Sequence, residues 1–304
     1  MRTFLRFAVP AVAAVAVLGT ADLASAKLMI APSPPARRAV MADVVVVGKV
    51  TSIAKEPVMA LPPFFGAKDK VAFQIATVTV DTGLIGADKL KEIKIGTILP
   101  PKPDPKAPPG PRIGGPRRFG FELKEGQELI LFLAKHPTEG FYTIPGGTLP
   151  VEMKDAQAKK DLEAVKGVAA ILADPMKALK SDKSEARAEA ATIIVLKYRN
   201  YPLFGGETAE AAIPAEESKL LLKALLEGNW SNMGRRFDGP PSPMDAFQML
   251  GLNQKDGWIP PVIVNNPGAP PVDYGLVQKD AFEKWLSGPG KDYVIKKLVP
   301  KAAK

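Results

Sequence analysis

The feature that most constrains the fold is a run of four valines, Val44 to Val47, followed directly by Gly48. Their β-branched side chains favour extended backbone. Beyond Gly48 apolar and polar residues alternate as far as Ile53, which is typical of a strand with one solvated face. A glycine inside such a strand indicates a β-bulge or a close approach of another backbone. We therefore expect a strand, buried on both faces at its start, around which residues up to about 150 are arranged.

The first 26 residues have the features of a signal peptide. Arg2 and Arg6 form a basic start, residues 7–18 are apolar, and Ala24-Ser25-Ala26 is a small-x-small cleavage site. The apolar run is short for a spanning helix, which disfavours the alternative of an N-terminal membrane anchor. We predict cleavage before Lys27 and export to the periplasm, the cell envelope or the medium, with no integral membrane segment after cleavage.

The composition excludes several kinds of site. The chain has no cysteine, so thiolate zinc sites and disulfides are excluded and the core depends on packing alone. His136 is the only histidine, which excludes a two-histidine metal site within one chain. It lies in a polar turn between Lys135 and Gly140, where we expect an exposed side chain. We predict no catalytic residues, no metal and no cofactor, and hence a protein that is not an enzyme.

Further segments of the first half are rich in β-branched residues or alternate in polarity, as strands do. A turn is predicted at Asp81-Thr82-Gly83. The segment before Ala39 contains several prolines and is predicted to be extended. The predicted strands after the first are residues 71–80, 91–95, 119–123, 129–133 and 141–144.

The order of these segments resembles the netrin-like module. The resemblance is carried by residues 43–50, by Gly83-Leu84-Ile85-Gly86 before Ile93-Lys94-Ile95, and by residues 123–133. It implies an OB-type five-stranded barrel over residues 39–150, as in tissue inhibitors of metalloproteinases. Those inhibitors chelate zinc through an N-terminal cysteine, which this chain lacks, so the resemblance implies the fold and not the inhibitory residues. The whole chain also resembles uncharacterised exported bacterial proteins with the same order, which implies no activity.

From Lys154 onward the apolar period changes from two to about 3.6, as in amphipathic helices. Helices are predicted near residues 154–172, 184–198, 214–227 and 243–250, each with a start or stop signal, and near residues 276–286 from the apolar stripe alone. Residues 292–299 are compatible with either a strand or a helical turn. The predicted fold class is therefore α+β, with a five-stranded OB-like β-barrel over residues 39–150 followed by an all-α helical domain over residues 154–299.

Two features of the second half have alternative interpretations. We expect Trp230, Trp258 and Trp285 to be core or cap residues, the alternative being a platform that stacks on sugars. Four acids near Gly/Pro loops would suit a carboxylate-based hydrolase, although nothing in the sequence pairs them at a catalytic separation. These acids are Asp238, Asp245, Asp256 and Asp273.

Two loops of the first half are candidate binding segments. Residues 99–118 contain eight prolines and so form neither a helix nor a central strand. A basic, proline-stiffened arm of this kind would lie on a polyanion or in a partner's aromatic groove, and the alternative is a tolerated loop insertion. Phe64 and Phe65 either cover one end of the barrel or contact a ligand. The basic side chains of the arm are Lys102, Lys106, Arg112, Arg117 and Arg118.

The net charge is +9, and loss of Arg2, Arg6 and Asp22 with the signal peptide leaves +8. This charge favours anionic partners such as nucleic acid, acidic polysaccharide or a membrane surface, although a lysine-rich solvated surface is the simpler explanation. We predict an exported, non-enzymatic binding protein that contacts an anionic envelope polymer or a protein partner, and not nucleic acid. The alternative is a protease-inhibitor-like module that acts on a secreted protease.

Overall fold

The structure, a computed structural model, describes residues 33–62, 67–100, 121–146, 148–202, 204–231, 239–263, 268 and 270–301. A short 3-10 helix at Gln254–Asp256 lies between the last two α-helices. The other elements, in chain order, are α1 (Pro35–Met41), β1 (Val44–Ile53), β2 (Val58–Ala60), β3 (Val71–Ile85), β4 (Glu92–Ile98), β5 (Glu128–Lys135), β6 (Tyr142–Thr143), β7 (Val151–Glu152), α2 (Ala158–Ala173), α3 (Pro175–Leu179), α4 (Ser184–Arg199), β8 (Thr208–Ala212), α5 (Ala215–Leu226), α6 (Pro243–Leu250), α7 (Tyr274–Ser287) and β9 (Lys296–Pro300).

The predicted fold class, a five-stranded OB-like barrel followed by an all-α domain, is wrong. The described chain is a mixed α/β fold with a seven-stranded sheet, and its helices are interspersed with strands. Helix α1 precedes the first strand, and β8 and β9 form a second, two-stranded sheet within the helical half. The sequence of β8, Thr-Ala-Glu-Ala-Ala, has little β-propensity. Nothing in the local sequence therefore indicates that it pairs with the distant β9. The domain boundaries given above stay predictions.

The large sheet is built around β1, as the valine run indicates. The strand order is β1-β3-β4-β6-β5-β7, with β2 paired to β3 and with an additional pairing of β1 to β5. Strand β1 therefore has antiparallel neighbours on both sides, and only the β4–β6 pair is parallel among the described strands. One face of β1 and β5 packs against the helices through Val45 and Phe132, and the other packs within the sheet through Val46 and Leu131. Because both faces of β1 and β5 are buried, apolar residues follow one another without a polar residue at Val44–Val47 and Leu129–Leu133.

Two local predictions in this half are wrong. No turn occurs at residues 81–83, because β3 continues to Ile85 and pairs with the start of β1, where Gly83 lies opposite Val46. Residues 121–123 are not a strand, although Leu123 is buried in the core. The first error arises because a distant strand, β1, and not the local sequence, decides how far β3 extends.

The predicted irregularity at Gly48 is confirmed. The register between β1 and β3 shifts between Val47 and Gly48, where the extra residue, Asp81, belongs to β3, so the bulge lies in the strand opposite Gly48. A Cβ added at Gly48 would lie 2.4 Å from the carbonyl oxygen of Thr79, which is backbone of the neighbouring strand. Because β1 is hydrogen-bonded on both sides, neither strand has room to retreat.

We expect Gly48→Ala to lower the free energy of unfolding by about 2 kcal/mol, because overpacking against backbone forces the strands apart. Gly167→Ala is the matched control, since a Cβ at that position of α2 meets no atom within 4 Å. There the loss of backbone freedom in the unfolded chain is expected to stabilise the protein by about 0.5–1 kcal/mol. Urea denaturation measures both changes, and a stabilising effect of Gly48→Ala would contradict the assignment.

Helix α1 corrects the prediction of an extended lead-in, because Pro35 occupies the first helical turn. Arg38 is buried and donates hydrogen bonds to the carbonyl oxygens of Ser33 (2.6 Å) and Leu149, and its guanidinium lies 5.1 Å from the centre of the Phe132 ring. Ala42 directly follows α1, and its carbonyl oxygen accepts a hydrogen bond from Lys197 Nζ of α4 (2.6 Å). Burial lowers the pKa of both Arg38 and Lys197. These cations fasten α1 to the sheet and to α4.

The three tryptophans are core residues, as expected. Trp230, Trp258 and Trp285 are all buried and pack with Phe247 and Phe282 between α6 and α7. The indole nitrogen of Trp230 donates to the Leu225 oxygen (2.8 Å). These aromatic rings therefore hold the last helices together and are not available as a stacking surface.

Candidate functional site

The side chains that the sequence predicted to bind a partner lie outside the described residues, so their contacts are not part of the structure described here. Phe64 and Phe65 belong to residues 63–66, and the basic arm residues belong to residues 101–120. Asp238, one of the candidate acids, also lies outside. The described residues on either side of these segments do show where each one is attached.

The two candidate segments start next to each other at one end of β3. Ala60 pairs with Val71 and is the last residue before residues 61–70, which contain Phe64 and Phe65 and which we call the aromatic loop. Ile98, the last residue of β4 before the arm, pairs with Phe73, and the amide of Leu99 donates to the Ala72 oxygen (2.9 Å). We call this end, defined by Ala60, Val71–Phe73 and Ile98, the loop end of the sheet. Two segments that are far apart in sequence are therefore fixed to the same three residues of β3.

His136 lies at the loop end and is buried, which corrects the prediction of an exposed side chain. Only 2% of the residue is accessible to solvent. Its Nδ1 atom accepts hydrogen bonds from the backbone amides of Thr138 (3.3 Å) and Glu139 (3.1 Å). Its Nε2 atom is 2.9 Å from the Leu61 oxygen, an acceptor, so the network fits the neutral tautomer with the proton on Nε2. The ring thus joins the 136–140 turn to the first residue of the aromatic loop.

Three phenylalanine rings enclose this histidine. The ring centroids of Phe73, Phe141 and Phe204 lie 5.9, 4.8 and 5.9 Å from that of His136. Because both ring nitrogens are engaged and the ring is enclosed, His136 is not placed to act as a general base. His136 therefore has a structural role: its hydrogen bonds hold the 136–140 turn against Leu61 at the loop end.

Sequence reasoning missed two cations at the loop end. Lys68 and Lys70 flank Asp69 in the described part of the aromatic loop, and all three side chains are exposed. The signal was available in the sequence, since these lysines directly precede the predicted strand at Val71. They add positive charge beside the point where the basic arm leaves β4.

The described candidate acids are helix caps. Asp245 accepts from the backbone amide of Ser242 (3.1 Å) and forms an ion pair with Arg37 (2.7 Å). Asp256 closes the equivalent capping box of the 3-10 helix. Asp273 caps α7 and accepts a hydrogen bond from the Ser231 hydroxyl. Each carboxylate has a local structural role, which leaves no support for a paired-carboxylate hydrolase among these three residues.

Other kinds of site are also lacking in the described part of the chain. No group of three or more His, Asp or Glu side chains in these ranges could hold a metal ion. None of the described helices is both long and apolar enough to cross a membrane. An open groove along the end of α7 is lined by Asp280, Glu283, Lys284, Ser287 and Gly288, and none of these was a predicted binding residue.

No protein-family model matches the chain, and no curated protein sequence matches it. The resemblance to netrin-like modules and to exported bacterial proteins therefore stays a prediction. The functional proposals below depend on the chain's own residues.

Proposed function

We propose that the chain is an exported, non-enzymatic binding protein of the periplasm or cell envelope. Its basic, proline-rich arm, residues 99–118, contacts an anionic polymer of the envelope, and the aromatic loop, residues 61–70, is attached to the same end of β3. A protein partner is the second outcome that the experiment below distinguishes. No observation on the described residues favours the protease-inhibitor alternative.

The distribution of charge is the observation that carries this proposal. The described residues contain thirty basic and twenty-nine acidic side chains, so they are almost neutral. Residues 101–120 contain five basic side chains and a single acid, Asp104. A solvated lysine-rich surface, the simpler explanation of the net charge, would spread the excess over the whole body. Residues 101–120 thus carry +4, half of the +8 that remains after loss of the signal peptide, as expected for a segment that attracts a polyanion.

The attachment of the arm adds further support. Its start is fixed by the Leu99 hydrogen bond to β3, and the chain returns to the core at Leu123, which is buried. Frequent prolines restrict the backbone between these points, which lowers the entropy lost when the segment is ordered on a ligand. The exposed Lys68 and Lys70 directly precede β3 at the loop end, where the arm starts, and with Asp69 between them they add one net positive charge there.

The test compares two variants of residues 27–304 that have the same net charge. In the arm variant, Lys102, Lys106, Arg112, Arg117 and Arg118 are replaced by Gln. In the control variant, Gln replaces five exposed lysines of the helical half, namely Lys159, Lys160, Lys177, Lys180 and Lys183. Binding to heparin, as a soluble polyanion, and to envelope extract is measured at low and high salt.

We expect the arm variant to bind heparin at least about tenfold more weakly at low salt and to show a flatter salt dependence, because fewer counterions are released. The control variant should retain most of the binding. Equal losses in both variants would mean that net charge alone acts, and unchanged binding of the arm variant would refute the proposal. A discrete protein captured equally by all three forms at high salt would instead favour a protein partner.

A further inference from the structure

The hydrogen bonds of His136 are ones that only a neutral ring can form. Nδ1 accepts from two backbone amides, those of Thr138 (3.3 Å) and Glu139 (3.1 Å), and Nε2 lies 2.9 Å from the Leu61 oxygen. A neutral imidazole has one acceptor nitrogen and one donor nitrogen, whereas a protonated imidazole has two donors and no acceptor. Protonation would therefore place a proton on Nδ1 directly against two N–H groups of the 136–140 turn.

The site offers no replacement for the lost acceptor. The Thr138 hydroxyl oxygen is 3.5 Å from Nδ1, at the outer limit of hydrogen bonding, and the hydroxyl donates to the Glu139 carboxylate (3.4 Å). The other neighbours are the rings of Phe73, Phe141 and Phe204. Only 2% of His136 is exposed, and a charge enclosed in this way is costly unless it is paired.

The charged groups around His136 do not pair with the ring. Lys135 precedes it and is exposed, and the Lys135 amide donates to the Asp43 carboxylate at the start of β1 (3.4 Å). Glu139 is engaged with Thr138, as above. In the described part of the chain the ring forms no ion pair. The charged residues closest in sequence to Phe73 and Phe204 on their side chains' own segments are exposed, namely Lys70 and Glu207.

We propose that His136 is an acid-sensitive switch: uptake of a proton by Nδ1 detaches the 136–140 turn from the ring and releases Leu61, which opens the loop end. Histidine is the side chain whose charge changes most readily between pH 5 and 8. The open state binds a proton that the closed state excludes, so the closed state loses stability as the pH falls. At neutral pH the loop end is closed, and in acid it opens.

The expected opening is local. Ala60, directly before Leu61, is paired with Val71, and Ala134 of β5 is paired with Thr143. Release of His136 breaks neither pair, so β2 and β5 stay in the sheet while the 136–140 turn moves. The switch goes beyond the proposed function, because it requires neither the basic arm nor an anionic ligand.

The test follows hydrogen exchange in residues 27–304, which retain the compact unit Pro32–Lys304, at pH 7.5 and pH 5.0. Rates are corrected for the intrinsic effect of pH. His136→Asn is the matched control, because its side chain retains an acceptor and every other titratable group but takes up no proton in this range. For the wild type we expect the open fraction of the 136–140 turn to rise about thirtyfold at pH 5.0, since the open ring titrates as an ordinary histidine.

In the same experiment β5 should remain protected, and the open fraction of the turn in His136→Asn should change less than about twofold. Equal increases in the wild type and in His136→Asn would overturn the proposal, because another group would then be responsible. The arm variant should open as the wild type does, so a failure of polymer binding and a failure of the switch are distinguishable.

A second readout needs the wild type alone. His136 is the only histidine, so its ring resonances in an NMR spectrum are unambiguous. At pH 7.5 the ¹⁵N shifts should be those of a neutral ring with the proton on Nε2. As the pH falls, the protonated ring should appear together with loss of protection at the Thr138 and Glu139 amides. A ring that becomes protonated while both amides stay protected, or that stays neutral at pH 5.0, would overturn the proposal.

Discussion

Trp230→Ala is expected to lower the free energy of unfolding by about 4 kcal/mol, a large fraction of the stability of an ordinary domain. The side chain is 1% exposed and its ring centroid lies 5.4 Å from that of Phe247 and 5.6 Å from that of Phe282. Truncation would remove these contacts, leave a cavity between α6 and α7, and delete the hydrogen bond to the Leu225 oxygen. Urea denaturation followed by far-UV circular dichroism measures the change.

Two further variants separate packing from polarity at this position. Trp230→Phe keeps a ring but loses the hydrogen bond, so we expect a loss of about 2 kcal/mol. Tyr201→Ala removes an aromatic side chain that is 62% exposed and should change stability by less than about 0.5 kcal/mol. Similar effects of Trp230→Ala and Tyr201→Ala would contradict a core role for Trp230.

His136→Ala is expected to destabilise the protein by about 3 kcal/mol, because the ring fills a buried site and is the shared acceptor of two backbone amides of the turn. These amides belong to Thr138 and Glu139, and the Leu61 oxygen would lose its donor as well. The loss should be local first, with faster hydrogen exchange in residues 136–140 than in β5. Chemical denaturation and exchange measured by mass spectrometry test both expectations.

His136→Asn and His136→Leu distinguish the hydrogen bonds from simple packing. The Asn side-chain oxygen can approach the position of Nδ1 and accept from the turn, so about half of the loss should be recovered. Leu fills the space between Phe73 and Phe141 but offers no acceptor, so it should recover less than Asn. If Leu recovered more than Asn, the ring would act by packing and not as a hydrogen-bonded clip.

Much of the local structure follows from local signals in the sequence. The valine run predicts β1, and Gly48 predicts the close backbone approach and irregular register that the structure shows there. The helix that begins at Pro243 follows from Ser242, whose side chain accepts from the amide of Asp245, and it ends at Gly251 with a φ of 66°. Such signals act within a few residues of chain, so a sequence pattern contains all of the information that they need.

The candidate site was less predictable. The sequence placed the basic arm and the aromatic loop in separate connections, and only the pairing of β2 and β4 with β3 brings their starts together. The burial of His136 was missed because its partner, the Leu61 oxygen, is distant in sequence and a carbonyl group has no sequence signature.

The sequence by itself determined the strands with dense β-branched residues, the helices with apolar stripes and caps, and the concentration of positive charge in residues 99–118. Only the tertiary structure decided the fold class, the β8–β9 pair, the clamp on α1 and the enclosure of His136. The physical reason is the range of the interactions. Propensity, capping and charge density act over a few residues, whereas strand pairing and burial depend on partners that the chain brings together only when it folds.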